Sequence, residues 1–364
     1  MDVLYLLAAL LVMVALQGLF LRWFGLRGLT YARSFSKKEA FAGETVEMVE
    51  VLRNAKLLPV PWIKAESRMS VHLRFSDAEG DDALHEHSSD TLYHRSTFFL
   101  APYSQVTRRS AVQLLKRGRY EVGTVSLTAG DLFATITQRR ETDTGAAISV
   151  YPRLLAREEL ALPSSRWQGE LGVRRWIMPD PFLIAGIREW QQGDAQRDVH
   201  WAATARTGAL QVKAHDYTAD PKLLVILNVQ MKEQQWSDLM EYEQGVIEYG
   251  ISLAASLCLH ALESGVEAGF AANAPTLPDR ERPTLLLPAR HPGRDRDLLE
   301  TMARLHIRRL RSFHTFLEDF SQVQGMDIII LSAYHSELLA QRIAQLQLRG
   351  NTVTLWELPQ EVSA

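Results

Sequence analysis

The chain opens with an almost unbroken run of apolar residues. Within residues 3–21 the only strongly polar side chain is Gln17. At about 1.5 Å per residue, roughly 19 helical residues span about 28 Å, close to the ~30 Å hydrocarbon core of a bilayer. Only the acidic Asp2 lies ahead of the run, and no small-residue cleavage motif follows it. These features predict an uncleaved transmembrane anchor in residues 1–24 rather than a cleaved signal peptide.

The next part of the chain alternates between apolar and polar positions over short segments. Residues 45–51, 71–75 and 124–128 follow this period of two, and turn-forming residues separate the segments. Several half-buried strands without a long helix between them predict an antiparallel β-sandwich over residues 35–151. The polar residues 76–93 predict an exposed loop within it.

The pattern changes in the last part of the chain. Proline-rich breakers mark residues 152–184 as a connecting segment. In residues 185–360, largely apolar strands such as 223–227 and 326–331 alternate with helical patterns such as 242–264 and 337–348. This alternation predicts an α/β domain with a mostly parallel sheet covered on both faces. The predicted fold class is therefore α+β multidomain: a transmembrane helix, a β-sandwich, then an α/β domain.

Charge and cysteine content indicate where the folded part lies. The formal net charge of -3 excludes a strongly basic nucleic-acid footprint over the whole chain. Cys258 is the only cysteine, so an internal disulfide is impossible, which suits a reducing compartment. Basic residues that follow a membrane helix favour the cytoplasmic side, and we therefore expect a single-pass protein of the inner membrane with its bulk in the cytoplasm. The basic residues after the apolar run are Arg22, Arg27, Arg33, Lys37 and Lys38.

The densest polar cluster lies in residues 186–208, a stretch that we interpret as coil-like. It combines arginines, acids and two tryptophans, whose side chains pair and stack with one another readily. One interpretation is a self-satisfied network that fixes this segment and braces the interface between the domains. The other is a docking or anion-recognition surface, and the two are compatible. The candidate residues are Arg188, Glu189, Trp190, Gly193, Asp194, Arg197, Trp201 and Arg206.

This stretch resembles the signature of the family known as "domain of unknown function 58". The family pattern is approximately Arg-Glu-aromatic-x-x-Gly-Asp-x-x-Arg-x-(Ile/Val)-x-Trp-x-x-x-Ala-Arg. The candidate residues fall on it, together with Val199 and Ala205. The resemblance implies membrane helices, a β-rich region and a domain similar to von Willebrand factor A. It also implies an adaptor role beside a MoxR-type AAA+ ATPase. Many members have two closely spaced membrane helices, whereas this chain has one apolar run.

Domains of the von Willebrand factor A type often bind Mg²⁺ through Asp-x-Ser-x-Ser after their first strand. Here the corresponding positions are Asn228, Gln230 and Lys232, so an amide replaces the carboxylate and a cation replaces a hydroxyl. Because Mg²⁺ prefers hard oxygen ligands that include a carboxylate, we expect these to be degenerate metal-site positions without a metal. A partner bound here would be held without a bridging ion.

Two other groups of residues, a set of histidines and a pair of basic segments, allow further interpretations. His85, His87 and His94 could suggest a metal site, but a charged loop predicts solvated side chains there. The basic segments 290–296 and 306–311 fit either a helix surface or a lipid-surface sensor.

The chain has no phosphate-binding loop, dinucleotide fingerprint or nucleophile elbow. We therefore expect a non-catalytic scaffold without a cofactor, a catalytic residue or a nucleic-acid partner. The alternative is an enzyme that uses Arg188, Asp194, Arg197 and His200 as an anion-binding or acid–base site. An open pocket at these side chains would favour the enzyme, and buried mutual pairing would disfavour it.

Overall fold

A computed structural model describes most of the chain after the apolar run. For residues 83–84, 179–186 and 213–217 only the backbone is described. The predicted anchor lies outside the described residues, apart from Tyr5. The chain divides into two units, Met1–Arg153 with Leu299–Arg304, and Leu154–Leu298 with Leu305–Ala364. The described residues are 5, 25–76, 83–84, 91–130, 137–156, 179–191, 199–217, 222–235 and 237–360.

The first unit consists of short strands joined by turns. Along the third strand, every second side chain up to Met48 is buried, while Thr45 and Glu47 are exposed, so one face points into a core. The strands are β1 (Leu29–Phe35), β2 (Glu39–Phe41), β3 (Thr45–Asn54), β4 (Val60–Ser70), β5 (Leu73–Phe75), β6 (Ala83–Leu84), β7 (Thr91–Leu100), β8 (Gln105–Leu114), β9 (Gly118–Glu121), β10 (Thr124–Gly130), β11 (Thr137–Asp143) and β12 (Ala147–Tyr151).

These strands form two antiparallel sheets and a small third sheet. The orders are β1-β3-β8-β5, β11-β10-β4-β7-β6 and β2-β12-β9, with β2 parallel to β12. The two larger sheets share apolar clusters: Leu52 packs with Ile63 in one, and Met48 packs with Met69 in the other. Shared cores between antiparallel sheets are the arrangement of a β-sandwich, which agrees with the predicted antiparallel unit.

Several predicted boundaries in this unit need correction. The first strand begins at Leu29, ahead of the predicted start at residue 35. β7 begins at Thr91, inside the predicted loop 76–93. β8 is one continuous strand, Gln105–Leu114, and pairs with β3 over nearly its whole length. Tertiary pairing therefore extends strands through positions whose local sequence is polar.

The second unit alternates strands and helices. The boundaries of the helix 337–348 agree with the sequence pattern, and a short α-helix, Phe313–Phe316, is followed by a 3₁₀ turn, Leu317–Phe320. The elements are β13 (Pro179–Glu189), α1 (Trp201–Thr207), β14 (Gln211–Tyr217), β15 (Lys222–Leu227), α2 (Glu241–Glu263), β16 (Glu267–Pro275), β17 (Pro283–Ala289), α3 (Arg294–Ala303), α4 (Phe313–Phe316), β18 (Asp327–Ser332), α5 (Glu337–Leu348) and β19 (Thr352–Glu357).

Five of these strands form one sheet in the order β17-β16-β15-β18-β19. All neighbours are parallel except β17, which is antiparallel to β16. Leu224 and Ile226 face a cluster that includes α4 and α5. Leu227 faces α2, where a Cβ on Gly250 would lie 2.9 Å from its Cδ1. Helices therefore cover both faces of a mostly parallel sheet, in agreement with the predicted α/β class.

One helix in the described part of the chain, α2, is long and apolar enough to cross a membrane by length and composition alone. It packs against β15 and β16, and most of its apolar window is buried inside the protein. Its hydrophobicity is therefore explained by its position in the core of the second unit.

The signature segment is not the predicted coil. β13 and β14 form a two-stranded antiparallel ribbon, and α1 lies between them in the chain. The predicted boundary between residues 184 and 185 falls inside β13. Backbone pairing from residues 186–189 to β14 accounts for the extended conformation, since each strand supplies the hydrogen-bond partners that the other needs.

Candidate functional site at the carboxyl edge of the α/β sheet

The first strand of the α/β sheet, β15, lies at its centre, with β16 on one side and β18 on the other. The chain after β15 leads to β16 on one side of the sheet centre, whereas the chain after β18 leads to β19 on the other side. In doubly wound sheets, this change opens a crevice outside the carboxyl ends of the strands, where ligands bind. Asn228 follows β15 directly and Ser332 ends β18. The predicted positions 228–232 therefore lie at the edge where this fold places its sites.

Asn228 ties the ends of the two central strands together. Its backbone N–H donates to the carbonyl of Leu331 at 2.9 Å, and its Nδ2 donates to Ser332 Oγ at 3.0 Å. Its Oδ1 accepts from the backbone N–H of Gln230 at 3.0 Å. Asn228 and Ser332 are both fully buried. The amide side chain thus holds the turn after β15 in one conformation.

Gln230 and Asn273 extend this network towards β16. Asn273 Oδ1 accepts from the N–H of Val229 at 2.9 Å, and its Nδ2 donates to Gln230 Oε1 at 3.3 Å. Gln230 Oε1 also accepts from the N–H of Phe313 at 2.7 Å. Both amides are almost completely buried. We call Asn228, Gln230, Asn273 and Ser332 the amide cluster.

A second layer attaches the amide cluster to the start of α2. Gln235 Oε1 accepts from the N–H of Met231 at 2.7 Å, while its Nε2 donates to Glu243 Oε2 at 3.1 Å. The same carboxylate oxygen accepts from the N–H of Met240 at 2.9 Å. Glu243 is buried in the first turn of α2, where the helix dipole favours negative charge.

Three further side chains lie around the amide cluster and complete the site. Tyr334 is half-buried, and burial raises the pKa of its phenol above the ordinary value of 10.0, so the ring is neutral at physiological pH. Glu233 Oε1 accepts from Ser336 Oγ at 2.9 Å. Lys232 is exposed on the turn, with its charge directed to solvent. This edge of the sheet therefore combines a buried, hydrogen-bonded polar layer with an exposed cation on the turn after β15.

The amide cluster does not suit Mg²⁺. Asn228 Oδ1, Asn273 Oδ1 and Gln230 Oε1 each already accept a hydrogen bond from a neighbouring N–H group. A hard cation prefers carboxylate oxygens in an octahedral array, and binding here would break these bonds. Among the residues that the structure describes, no group of three or more His, Cys, Asp or Glu side chains is arranged to bind a metal.

The structure only partly assembles the signature residues. Gly193, Asp194 and Arg197 lie outside the described residues. The described members are exposed on the ribbon and on α1; Trp190 is 42% and Trp201 67% exposed. Arg206 and Glu189 are exposed as well. The described signature side chains are therefore exposed, and the self-satisfied network stays a prediction.

Arg188 and His200 are the two residues of the enzyme alternative that the structure describes, and both make local backbone contacts. Arg188 Nη1 donates to the carbonyl of Glu189 at 3.0 Å. His200 Nδ1 accepts from the N–H of Ala203 at 3.1 Å and so caps α1. A ring nitrogen that caps a helix is not available as a base. These contacts show neither an open pocket nor buried mutual pairing at the described positions.

The two basic segments are largely used within the second unit. Arg294 is buried and donates to the carbonyls of Ala268 and Leu287. Arg311 pairs with Asp319 at 3.1 Å. Guanidinium groups bound to carbonyls or to a carboxylate in this way contribute to packing, so a lipid-sensing surface here has little free charge from these two arginines.

The β-sandwich contains a buried polar layer that sequence reasoning missed. Arg33 and Glu50 form an ion pair at 2.8 Å, and neither side chain is exposed. Ser96 Oγ donates to Glu50 Oε2 at 2.7 Å, and Arg33 Nη1 donates to Ser67 Oγ at 2.8 Å. His94, far from a solvated loop, stacks on Phe75 inside the sandwich. This layer separates the two apolar clusters along β3, where Glu50 lies between Met48 and Leu52.

The ionisation of this layer follows from its contacts. Burial alone raises the pKa of Glu50, but the nearby His94, the charge of Arg33 and the hydrogen bond from Tyr31 together hold that pKa well below 4.5. Ser96 has one hydroxyl proton and donates it to Glu50, so His94 Nε2, 3.1 Å from Ser96 Oγ, must carry the proton of that contact. Since Ser96 is fully buried, this Ser–His contact is structural rather than nucleophilic.

An open groove of about 1410 Å³ crosses the β-sandwich. Its charged side chains pair within the groove: Arg95 Nε donates to Glu66 at 2.8 Å, and Arg139 Nε donates to Ser126 at 2.6 Å. Paired charges of both signs on the outer face of a sheet are typical of a solvated surface.

Comparison with known proteins gives no assignment. No family model matches the chain, and no curated protein matches it. Among solved structures, the CARDB domain of a Pyrococcus furiosus protein is 18% identical, with a TM-score of 0.23, over 34% of this chain and 91% of that domain. A non-cellulosomal cohesin from Archaeoglobus fulgidus is 10% identical, with a TM-score of 0.21, over 36% of this chain and 94% of the cohesin. Similarity this low supports no conclusion about what the chain binds.

Proposed function

We propose that this chain is a membrane-anchored, non-catalytic scaffold that docks a protein partner at the carboxyl edge of its α/β sheet. The amide cluster is the observation that carries the proposal. It lies beneath the carboxyl edge of the sheet as buried groups that satisfy one another. These contacts hold the turn that carries the exposed Lys232 in one conformation, which suits binding by shape, and the cluster itself contains no carboxylate for metal or acid–base chemistry.

The strand order supports a von Willebrand factor A-like identity for the α/β unit. β15, β16 and β17 lie on one side of the switch and β18 and β19 on the other, as in a Rossmann-like sheet. Together with the signature in residues 186–208, this order favours membership of the family called "domain of unknown function 58". A MoxR-type AAA+ ATPase is then the partner that we propose, from the resemblance alone.

The location that we propose follows from the sequence. The apolar run of residues 3–21 would anchor the chain in the inner membrane, and the basic residues after it would keep both units in the cytoplasm. The anchor restricts the docking surface to the membrane, which raises its effective concentration towards a partner recruited there.

The enzyme alternative lacks a specific observation in its favour. Arg188 is exposed and His200 caps α1.

The test is affinity isolation of the tagged full chain from membranes under mild detergent and gentle crosslinking, in parallel with Lys232→Glu. The matched control is Arg349→Glu, a charge reversal at an exposed residue before β19, on the opposite edge of the same sheet. The proposal predicts a protein partner with the parent and the control, depleted with Lys232→Glu. Equal recovery with all three chains, or no protein partner from any of them, contradicts docking at this edge.

A further inference from the structure

The segment that follows the predicted anchor is fastened to one end of the β-sandwich. Lys56 Nζ donates to the carbonyl of Gly25, and Arg140 Nη2 donates to the carbonyl of Leu29 at 2.9 Å. Gly25 and Leu29 are buried. The chain therefore joins the folded unit at Gly25 without a flexible described linker between that residue and β1.

Geometry then limits how far this end lies from a bilayer. Four residue steps separate Leu21, the last residue of the apolar run, from Gly25. Even fully extended, four residues span at most about 14 Å. The headgroup layer on each side of the hydrocarbon core is about 5–8 Å thick. An anchor at residues 3–21 therefore holds Gly25 within the headgroup layer or at most about 9 Å beyond it.

Large apolar side chains are exposed at this same end. Leu57 is 72% exposed, Phe99 64% and Tyr103 70%. Phe99 lies at the end of β7, and the loops that carry Leu57 and Tyr103 are joined, since the N–H of Tyr103 donates to the carbonyl of Lys56 at 3.1 Å. Ala55 N–H also donates to the carbonyl of Gly28, so the loops lie beside the segment that leaves the anchor.

The backbone conformation of Tyr103 is an independent indication that the fold holds this residue in its exposed position. Its φ of 47° makes it the one non-glycine residue with positive φ in the described part of the chain. This left-handed conformation is uncommon for a bulky residue and persists only where the surroundings determine it. Here the hydrogen bond to Lys56 holds the turn. Tyrosine is also among the residues enriched at membrane–water interfaces.

Three described segments at this end carry charge of one sign. Residues 25–30, 53–59 and 99–105, all described, contain Arg27, Arg53 and Lys56 and no acidic residue. Arg27 and Arg53 are exposed. Cations interspersed with aromatic and aliphatic side chains fit the anionic surface of a cytoplasmic leaflet, where each basic residue near the surface contributes about 1 kcal/mol.

We propose that Arg27, Arg53, Leu57, Phe99 and Tyr103 form a membrane-facing rim that rests on anionic lipid headgroups. The proposal rests on the anchor in the proposed function, but it goes further. The β-sandwich is then held against the bilayer in one orientation instead of hanging from a flexible tether. The first unit thereby acts as a spacer that fixes where the protein meets the membrane.

The test uses the full chain in vesicles that contain phosphatidylglycerol. A single environment-sensitive fluorophore is attached at Leu57→Cys or, as the matched control, at Leu115→Cys. Leu115 is 40% exposed and directly follows β8. The end of β8 pairs with Thr45 at the start of β3, so Leu115 lies at the end of the sandwich opposite the rim. The native Cys258 does not interfere, because it is fully buried and burial raises its pKa to about 12.

We expect the chain to float with the vesicles. Headgroup-brominated lipid should quench the label at position 57, and aqueous acrylamide should quench it several-fold less than it quenches the label at position 115. Arg27→Glu should reduce that protection, and Lys38→Glu, an exposed residue beyond the other end of β1, should not. If the chain floats but both labels are equally accessible to acrylamide, the rim proposal is wrong and the anchor stands. If the chain does not float, the anchor and the rim both fail, whereas partner docking at the α/β sheet is still measured separately.

Discussion

Arg33 and Glu50 lie directly opposite each other on β1 and β3, and their side chains form a 2.8 Å ion pair from which water is fully excluded. Tyr31, Ser67 and Ser96 supply further hydrogen bonds to the pair. A buried pair of this kind is stable only while both partners are present, because removal of one leaves an uncompensated charge. The β-sandwich is therefore specified in its middle by polar contacts as well as by its two apolar clusters.

Replacement of Glu50 by Ala is expected to lower the free energy of unfolding of the β-sandwich by about 3–5 kcal/mol, since it leaves the Arg33 guanidinium buried without its counter-charge. Hydrogen exchange of the β1 and β3 amides measures this loss. The matched control is Glu47→Ala on the same strand, whose partner Arg109 is exposed and 3.6 Å away. That variant should cost about 0–1 kcal/mol. Similar losses for both variants would contradict the role of the buried pair.

The depressed pKa of Glu50 predicts acid sensitivity. Because the folded protein binds this proton only at lower pH than the unfolded chain does, the contribution of Glu50 to stability is complete above its ordinary pKa of 4.5. It is lost progressively as the pH falls below that value towards the folded-state pKa. Urea unfolding between neutral pH and strong acid should show this decline, with a shallower slope in Glu50→Gln. An unchanged slope would show that other carboxylates dominate.

The amide cluster should behave as one unit. Asn273→Ala removes the acceptor of the Val229 N–H and a donor to Gln230, and each buried group left without a partner costs about 1–3 kcal/mol. We expect faster hydrogen exchange at Val229 and in the turn that follows. Gln234→Ala, an exposed position in that turn, is the control and should change stability by at most about 0.5 kcal/mol. Unchanged protection of Val229 in Asn273→Ala would contradict the hydrogen-bond network.

Metal addition provides a separate check on the same residues. Since the amide oxygens are engaged with neighbouring N–H groups, Mg²⁺ at millimolar concentration should leave the melting temperature of the parent chain unchanged. Isothermal titration calorimetry should likewise show no saturable heat. A saturable stabilisation that disappears in Asn228→Ala would show that the crevice binds a cation after all.

Much of the architecture is predictable from local periodicity. The alternation in residues 45–51 predicts β3, and the apolar run 223–227 predicts the central strand β15. Glu50 lies at an inward-facing position of β3, as do Met48 and Leu52. The alternating pattern therefore predicts that the Glu50 side chain is buried. The identity of its partner required the sheet pairing, because Arg33 lies 17 residues away in the chain.

The candidate site was predictable in position but not in composition. The end of the first apolar strand pointed to Asn228 and Gln230, whereas Asn273 and Ser332 join them only through the parallel order of β15, β16 and β18. The signature residues show the opposite case. Their spacing can be read from the sequence, whereas the exposure of Trp190 and Trp201 is known only from the structure. Side-chain type alone does not reveal whether a second layer of structure covers a segment.

The central claim is that a protein partner docks at the carboxyl edge of the α/β sheet, beside Lys232. Its most direct test is a photo-crosslinking amino acid placed at position 232 of the full chain in cells, compared with the same group at position 349 on the opposite edge. We expect one dominant protein adduct at position 232, with a MoxR-type ATPase as the proposed identity, and none at position 349. Equal adducts at both positions, or none at position 232 while the chain is folded and in the membrane, would contradict it.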